Sequence, residues 1–311
     1  MYQEFETKLS QVIGKSQIKK GEPLSKHTTF KIGGPADYFI SPEKEESLSE
    51  LIKVCNEYEI PFYVIGNGSN LLVGDNGFRG VIIEMQNQFS KIQIEPWEGA
   101  TKRITAGAGI MLSKLSGEAA RNALTGLEFA AGIPGTLGGA VAMNAGAYDG
   151  EIKDCIVSAK VMTRQGEILV LTREQLELSY RKSIIQKEGY IVIEAVFSLK
   201  NGYESAIRQK MQDFNQRRRE KQPLEYPSAG STFKRPEGNF AGKLIMDAGL
   251  KGFRVGDMMI SDKHCGFMIN VGNGTAYDAV QLMNKVDIIV YEKFGVHLEP
   301  EVRLIGEFIE N

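Results

Sequence analysis

From Phe129 to Ala147 the chain passes through nineteen residues without a charge. Gly132, Gly135, Gly138, Gly139, Gly146 and Pro134 interrupt that run. Its length would suit a membrane span, but so many breakers predict a buried loop rather than a helix in lipid. Glycine has no Cβ and accepts φ > 0, so backbone N–H groups there can approach a ligand closely. Such an uncharged surface would hold the phosphates of a large anionic cofactor through backbone amides instead of lysines. The plainer alternative is a glycine-rich turn packed only against protein. A second glycine loop, Gly66-Asn67-Gly68-Ser69-Asn70, bears on the choice. Alone it is weak evidence, because hairpins and bulges use the same residues. It also lacks the dinucleotide fingerprint, which opens a helix, whereas Leu71-Leu72-Val73 continues here as a strand. Together, two such loops in a strand-rich region could grip an extended ligand with a diphosphate at its centre.

A basic run, Arg217-Arg218-Arg219 with Lys221, closes a helix. It reads either as a solvated face whose cations offset the helix dipole, or as a small anion site. Two other patterns are decoys. Gly14-Lys15-Ser16 resembles the end of a P-loop, but Leu9 stands where that motif needs glycine. Ser231-Thr232-Phe233-Lys234 has the Ser-x-x-Lys form of acyl-transfer enzymes, yet the form occurs four times and no Lys-Thr-Gly accompanies it. His27, His264 and His297 lie in unrelated contexts.

These residues need positioning elements. Ala36–Ile40 reads as a strand, and Ser41-Pro42-Glu43 as the cap and first turn of a helix. Leu48, Leu51, Ile52, Cys55 and Tyr58 follow at helical spacing, Pro61 ends the helix, and Phe62–Ile65 is a second strand. The first glycine loop thus follows a β-α-β unit, at the strand end where ligands usually sit. Strands are expected over 80–85, 103–106, 156–163, 167–171 and 190–199, with a helix over 111–122. Further helices are expected over 206–221, 241–248 and 275–294, the last with a Thr275/Asp278 capping box. A strand is expected over 266–271. In the last strand, 298–305, alternation should turn Leu298, Val302 and Leu304 to one side, with Glu299, Glu301 and Arg303 on the other. Phe5, Leu9, Val12 and Ile13 form one face of an N-terminal helix.

Composition excludes several classes. A net charge of −2 argues against a dedicated nucleic-acid or membrane-surface binder. Three scattered cysteines, Cys55, Cys155 and Cys265, support neither a disulfide framework nor a zinc site, so no metal and a reducing compartment are expected. The N-terminus lacks the pattern of a signal peptide, which implies a cytoplasmic protein.

Seven motifs occur in order: 29–37 (TFKIGGPAD), 66–72 (GNGSNLL), Gly132-Ile133-Pro134-Gly135, 145–148 (AGAY), Tyr180-Arg181-Lys182-Ser183, 228–234 (SAGSTFK) and 298–303 (LEPEVR). Together they resemble the UDP-N-acetylenolpyruvoylglucosamine reductase family, the flavoenzymes that make UDP-N-acetylmuramate for bacterial cell-wall synthesis. The glycine loops are similar to those of a wider group of FAD proteins of the vanillyl-alcohol-oxidase type. The Ser231 and Glu301 motifs belong to the reductases themselves.

The resemblance implies an α+β fold: a two-part FAD-binding domain of that type plus a C-terminal α/β substrate-binding domain. The corresponding segments are an N-terminal helix region 1–25, an FAD-binding domain 26–200 (a β-α-β unit 26–80 and a strand-rich unit 81–200), a substrate domain 201–297 and a terminal strand 298–311. It implies non-covalent FAD held by Gly66, Asn67, Gly68, Ser69, Asn70, Gly132, Ile133, Pro134, Gly135, Gly139 and Asn144. NADPH and the UDP-sugar would take turns in one site, with Tyr148, Arg217, Lys221, Gly230 and Arg235 as substrate contacts and a monomer as the working form. Hydride delivery to an enolpyruvyl ether leaves a carbanion beside a carboxylate, which needs charge stabilisation and a proton. By the resemblance Ser231 gives that proton, while Arg181 and Glu301 bind and polarise the carboxylate, a guanidinium being able to bond both its oxygens. Ser183 runs almost directly into the Tyr190 strand, as in the shorter branch of the family, which lacks the substrate-capping tyrosine. Tyr148 is a candidate replacement, and Arg235 stands where the longer branch has a substrate-contacting asparagine. An FAD-dependent oxidase and a non-catalytic flavin or nucleotide-sugar sensor are the rival readings.

Overall fold

The computed structural model describes residues 2–85, 89–99 and 101–308. The expected first segment is therefore described from residue 2 and the last as far as residue 308; positions 86–88 and 100 of the strand-rich segment lie outside the described residues. The chain forms two compact units, each built from separated stretches. The first comprises Met1–Lys19, Tyr38–Gly66 and Gly80–Arg217, the second Lys20–Asp37, Asn67–Arg79 and Arg218–Asn311.

The chain opens with α1 (Tyr2–Val12), β1 (Ile18–Pro23), β2 (Pro35–Ile40), α2 (Glu45–Glu57), β3 (Phe62–Ile65), β4 (Leu71–Val73) and β5 (Phe78–Glu84). Helix α1 buries Phe5 and Leu9, and the Phe5 ring meets the Tyr38 ring edge-on at 5.3 Å. β5 lies between β2 and β3 and runs parallel to β3, Phe62 opposite Val81. Helix α2 buries Leu48, Leu51, Ile52 and Cys55, the face its spacing predicts. Its start is different from the expected one. Lys44, not Ser41, is the N-cap, because the Ser41 hydroxyl donates to the Glu84 carboxylate at 3.0 Å. Glu45 and Glu46 then supply the acid of the first turn.

Next come β6 (Ile92–Pro96), β7 (Thr101–Gly107), α3 (Leu112–Arg121), β8 (Leu124–Thr125), α4 (Leu137–Ala142), β9 (Gly146–Ala147) and β10 (Gly150–Glu151). They are followed by β11 (Ile156–Met162), β12 (Ile168–Thr172), α5 (Ile184–Glu188), β13 (Ile191–Asn201) and α6 (Glu204–Lys221). An antiparallel sheet in the order β12-β11-β13-β7-β6 fills the first unit, with β8 also paired to β13. β13 is central because Ile191, Val192, Ile193, Ala195, Val196, Phe197 and Leu199 are all buried. A near-continuous apolar run of that kind needs cover on both faces, and α4 packs on it. The uncharged glycine run is thus not loop throughout. A 3-10 turn (Glu128–Gly132) and α4 form inside it, since Leu137, Ala140 and Val141 give the six-residue helix a buried side.

The second unit contains α7 (Ala241–Asp247), β14 (Arg254–Val255), β15 (Met258–Ile260), β16 (Met268–Asn270), α8 (Ala276–Phe294) and β17 (Arg303–Ile305). β14, β15 and β16 form an antiparallel sheet, and β17 pairs in parallel with β4. Phe30, Ile32 and Leu72 from the early stretches join Ile245, Met258, Leu282 and Val286 in one core. Thr275 caps α8 as expected, its hydroxyl accepting from Asp278 N at 3.0 Å while the Asp278 carboxylate accepts Thr275 N at 3.1 Å. Asp75 takes the next two amides, Ala276 N at 2.8 Å and Tyr277 N at 2.9 Å. The last strand is shorter than expected. Pro300 pairs antiparallel with Phe233, the chain bends at Val302, and only 303–305 joins β4. That bend shifts the alternation, so Leu304 is exposed while Ile305 is buried.

Candidate functional site

In the first unit the two glycine loops touch. A Cβ on Gly66 would lie 1.9 Å from Thr136 Oγ1, so glycine is required there by space rather than by backbone angle. Ile133 N closes the 3-10 turn onto Ala130 O at 3.1 Å, which leads the chain through Pro134 to Gly135. Leu137 N and Gly138 N are taken by Ile110 O and Ala108 O, both at 2.8 Å. No hydrogen bond within the described residues takes up the backbone N–H of Gly135, Thr136 or Gly139. These free donors, in a stretch without charge, fit the phosphates of a dinucleotide such as FAD.

Asn144 plays a different part from the glycines. It is fully buried in the left-handed region at φ 42°. Its amide donates to Glu151 at 2.8 Å and to Ser179 O at 3.1 Å, and its oxygen accepts Lys153 N at 2.9 Å. The side chain is therefore a brace between the β9–β10 hairpin and the turn that carries Arg181. Burial works to raise the Glu151 pKa, but hydrogen bonds from Lys153 and Asn144, with the charges of Lys153 and Arg181, hold it below the ordinary range.

Arg181 sits at the tip of a two-residue turn closed by Ser179 and Lys182, at φ 55°. A left-handed conformation costs a non-glycine residue about 1–2 kcal/mol, and such strain concentrates at functional positions. Its guanidinium lies 5.0 Å from the Tyr180 ring centre and donates to Gly146 O at 3.3 Å. Tyr148, at φ 55° in the β9–β10 turn, is pinned to α6. Its ring stacks on Phe214 at 4.4 Å and its hydroxyl donates to Phe214 O at 2.7 Å. Arg217 pairs along its own helix with Asp213 at 2.7 Å.

In the second unit, Gly68 has φ 58° and its Cβ would meet His27 O at 2.0 Å, so both angle and space demand glycine. Gly68 O accepts Thr29 N at 3.3 Å, while within the described residues the N–H groups of Gly68 and Ser69 are unused. Asn67 and Ser69 are half-buried beside it. Asn70 donates its side-chain amide to Glu301 O at 3.1 Å and accepts Arg303 N at its own carbonyl at 2.9 Å.

Residues 231–234 run as an extended middle segment. Ser231 pairs with Phe267 on one side; on the other, Glu301 N donates to Thr232 O and Lys234 N to Glu299 O, both at 2.8 Å. Ser231 and Glu301 thus lie on adjoining extended segments, Ser231 exposed and Glu301 half-buried. Gly230 precedes them at φ 78° with nothing within 4 Å of a Cβ, so only its backbone angle calls for glycine. Arg235 lies 4.6 Å from the Phe240 ring centre. Lys221 ends α6, exposed, and its charge acts on His264. Burial first, and then Lys221, lower the His264 pKa against the opposing effect of a main-chain hydrogen bond. His264 Nδ1 accepts Gly266 N at 3.1 Å, which leaves Nε2 as its N–H.

Sequence reasoning missed Thr136, Asp75, Glu151 and the coupling of His264 to Lys221. An acid near a glycine-rich turn could have suggested Asp75; Thr136 and His264 carried no local signal. Among the described residues no group of His, Cys, Asp and Glu could hold a metal ion. Burial pushes the thiols of Cys55 and Cys155 up to about 12, so neither acts as a nucleophile.

Fold and site together define a flavoprotein of α+β architecture: residues 36–172 match the family model described as "FAD binding domain". Residues 222–305 match "UDP-N-acetylenolpyruvoylglucosamine reductase, C-terminal domain". The chain is 58% identical over 299 residues to a UDP-N-acetylenolpyruvoylglucosamine reductase of Lachnoclostridium phytofermentans, covering 96% of each chain. It is 50% identical to that of Agathobacter rectalis over 99% of this chain and 100% of the other. The crystal structure of the Thermus caldophilus reductase superposes with a TM-score of 0.78 at 37% identity, over 92% of this chain and 99% of that one. The chain belongs to the UDP-N-acetylenolpyruvoylglucosamine reductase family.

Proposed function

We propose that this protein uses FAD and NADPH to reduce UDP-N-acetylglucosamine enolpyruvate to UDP-N-acetylmuramate, a step of peptidoglycan precursor synthesis. The observation that carries the reading is the pairing of the Ser231 segment with the segment of Glu301, inside the region matched by the reductase C-terminal domain. When bound, FAD would supply the two-electron chemistry by which hydride from NADPH reaches the methylene carbon of the enolpyruvyl ether. The free amides of Gly135, Thr136, Gly139, Gly68 and Ser69 serve its phosphates, and no histidine or cysteine in either loop tethers it. Ser231 donates a proton to the carbon beside the carboxylate, where an enolate is basic enough to take it from a hydroxyl. Arg181 forks onto the carboxylate, and Glu301 polarises it as charge develops. Asn144 acts by bracing Arg181, with its side chain already committed.

Lys221 binds the diphosphate, with Arg217, Gly230 and Arg235 as further substrate contacts and Tyr148 closing over the sugar by leaving its place on α6. NADPH and the UDP-sugar alternate in that site. In functional terms residues 26–200 hold FAD, 201–297 bind substrate and 298–311 bring Glu301. Among the described residues no helix is long and apolar enough to cross a membrane. A monomer working in the cytoplasm completes the reading.

The test is a visible spectrum under anaerobic conditions. The purified protein should be yellow, lose its flavin bands on addition of NADPH, and regain them on addition of the enolpyruvyl sugar. Denaturation should release all the flavin. A colourless protein that takes up no FAD would overturn the proposal.

A further inference from the structure

Gln222 follows the last residue of α6, next to Lys221. Its backbone is fixed at both ends: Gln222 N donates to Arg218 O at 2.9 Å, and Gln222 O accepts Leu224 N at 3.0 Å. Beyond it the chain is held by Asn270 N donating to Pro227 O at 2.9 Å and Thr29 Oγ1 donating to Ser228 O at 2.6 Å. The side chain therefore leaves a rigid backbone. Its Oε1 is buried and has no hydrogen-bond partner. Native proteins rarely leave such a group unmatched; a water, an ion or a ligand group completes it.

We propose that Gln222 is a nucleotide-reading residue whose Oε1 accepts a hydrogen bond from a ribose hydroxyl. An orphan acceptor needs a donor, so a phosphate oxygen is the wrong partner. Lys221, the adjoining residue, is the diphosphate contact of the function proposed above, on which this inference rests. Ribose hydroxyls flank the diphosphate in both ligands, and they are the donors that a UDP-sugar and NADPH have in common.

The experiment compares UDP with 2′,3′-dideoxyuridine diphosphate by calorimetric titration of the FAD-loaded protein, wild type and Gln222→Met. The wild type should bind UDP about tenfold more tightly than the dideoxy compound. Gln222→Met should bind the two equally, keep its full flavin content, and melt no lower than wild type, because methionine leaves no polar group orphaned. A preference for UDP that survives in Gln222→Met overturns the proposal, as does flavin loss with UDP binding unchanged, which would assign the contact to FAD. Wild-type protein that retains flavin but binds no UDP sinks the nucleotide-site reading itself, and the Gln222 assignment with it.

Discussion

Asn70 and Glu301 are joined side chain to main chain: the Asn70 amide donates to the Glu301 carbonyl at 3.1 Å. The first glycine loop therefore ends on the segment that carries a proposed catalytic carboxylate, and β4 and β17 continue the connection as a parallel pair. Asn70→Ala removes that hydrogen bond and should cost about 1 kcal/mol of stability. Asn70→Asp should cost more, since a carboxylate facing a carbonyl oxygen repels it. Thermal melting of the two FAD-loaded variants checks the order. An aspartate variant as stable as wild type would remove the contact from the account.

Gly66 tests whether the two loops must touch. Alanine there would put a Cβ 1.9 Å from Thr136 Oγ1 and 3.0 Å from its Cβ. Overpacking of this kind costs about 1–3 kcal/mol, and here it would fall on the loops proposed to hold the flavin. Gly66→Ala should purify with little FAD. Adding Thr136→Ala removes the nearest atom and should restore part of the flavin content, measured by absorbance after denaturation. No rescue would mean that alanine harms the loop for another reason.

Local signals were legible where one physical rule acted alone. The α2 face, the Thr275 box and the strand of β13 each depend on spacing or neighbouring residues, and each is where it was read. Ser41 misled because its hydroxyl found Glu84, a partner distant in sequence, which no local rule anticipates. Leu304 misled because a strand that changes partner at Val302 also changes phase. In the site, glycine density marked the two segments, but not that a helix forms inside the second or that Thr136 is what makes Gly66 necessary. The bearing of Lys221 on His264 was equally out of reach, since the residues meet only through tertiary folding. Arg181, Ser231 and Glu301 were nominated by family motifs; as isolated residue types they would have passed for turn and strand positions.

Lys221 links a binding prediction to a titration. With Lys221 as the proposed diphosphate contact of both nucleotides, Lys221→Ala should raise both Michaelis constants, by roughly ten- to a hundredfold for one charge-assisted bond. The same change removes a charge that lowers the His264 pKa, leaving burial as the remaining cause. His264 should titrate below the ordinary histidine range in wild type and move upward in the variant, read by NMR of its ring proton. Because the folded value is depressed, the unfolded chain takes up this proton first. The His264 contribution to stability is therefore full above the unfolded pKa and lost as pH falls through the interval below it, and Lys221→Ala should narrow that interval. Unchanged constants for both nucleotides would return Lys221 to a solvated helix end.

Ser231 separates the two half-reactions. Reduction of FAD by NADPH needs no proton at a substrate carbon, so Ser231→Ala should leave that step nearly intact. Reoxidation by the enolpyruvyl sugar requires a proton at the carbon beside the carboxylate. General acid catalysis is typically worth about 10²–10⁴-fold, and the alanine variant should lose at least that much in this half alone. Ser231→Cys should recover part of it, because a thiol of similar size still carries a proton to give. The pairing of Ser231 with Phe267 uses main-chain atoms, so neither substitution should disturb the segment. Stopped-flow absorbance at the flavin band, in the absence of oxygen, follows each half separately. Equal slowing of both halves would make Ser231 a residue that shapes the site. An alanine variant with both halves at wild-type speed would exclude it as the proton donor.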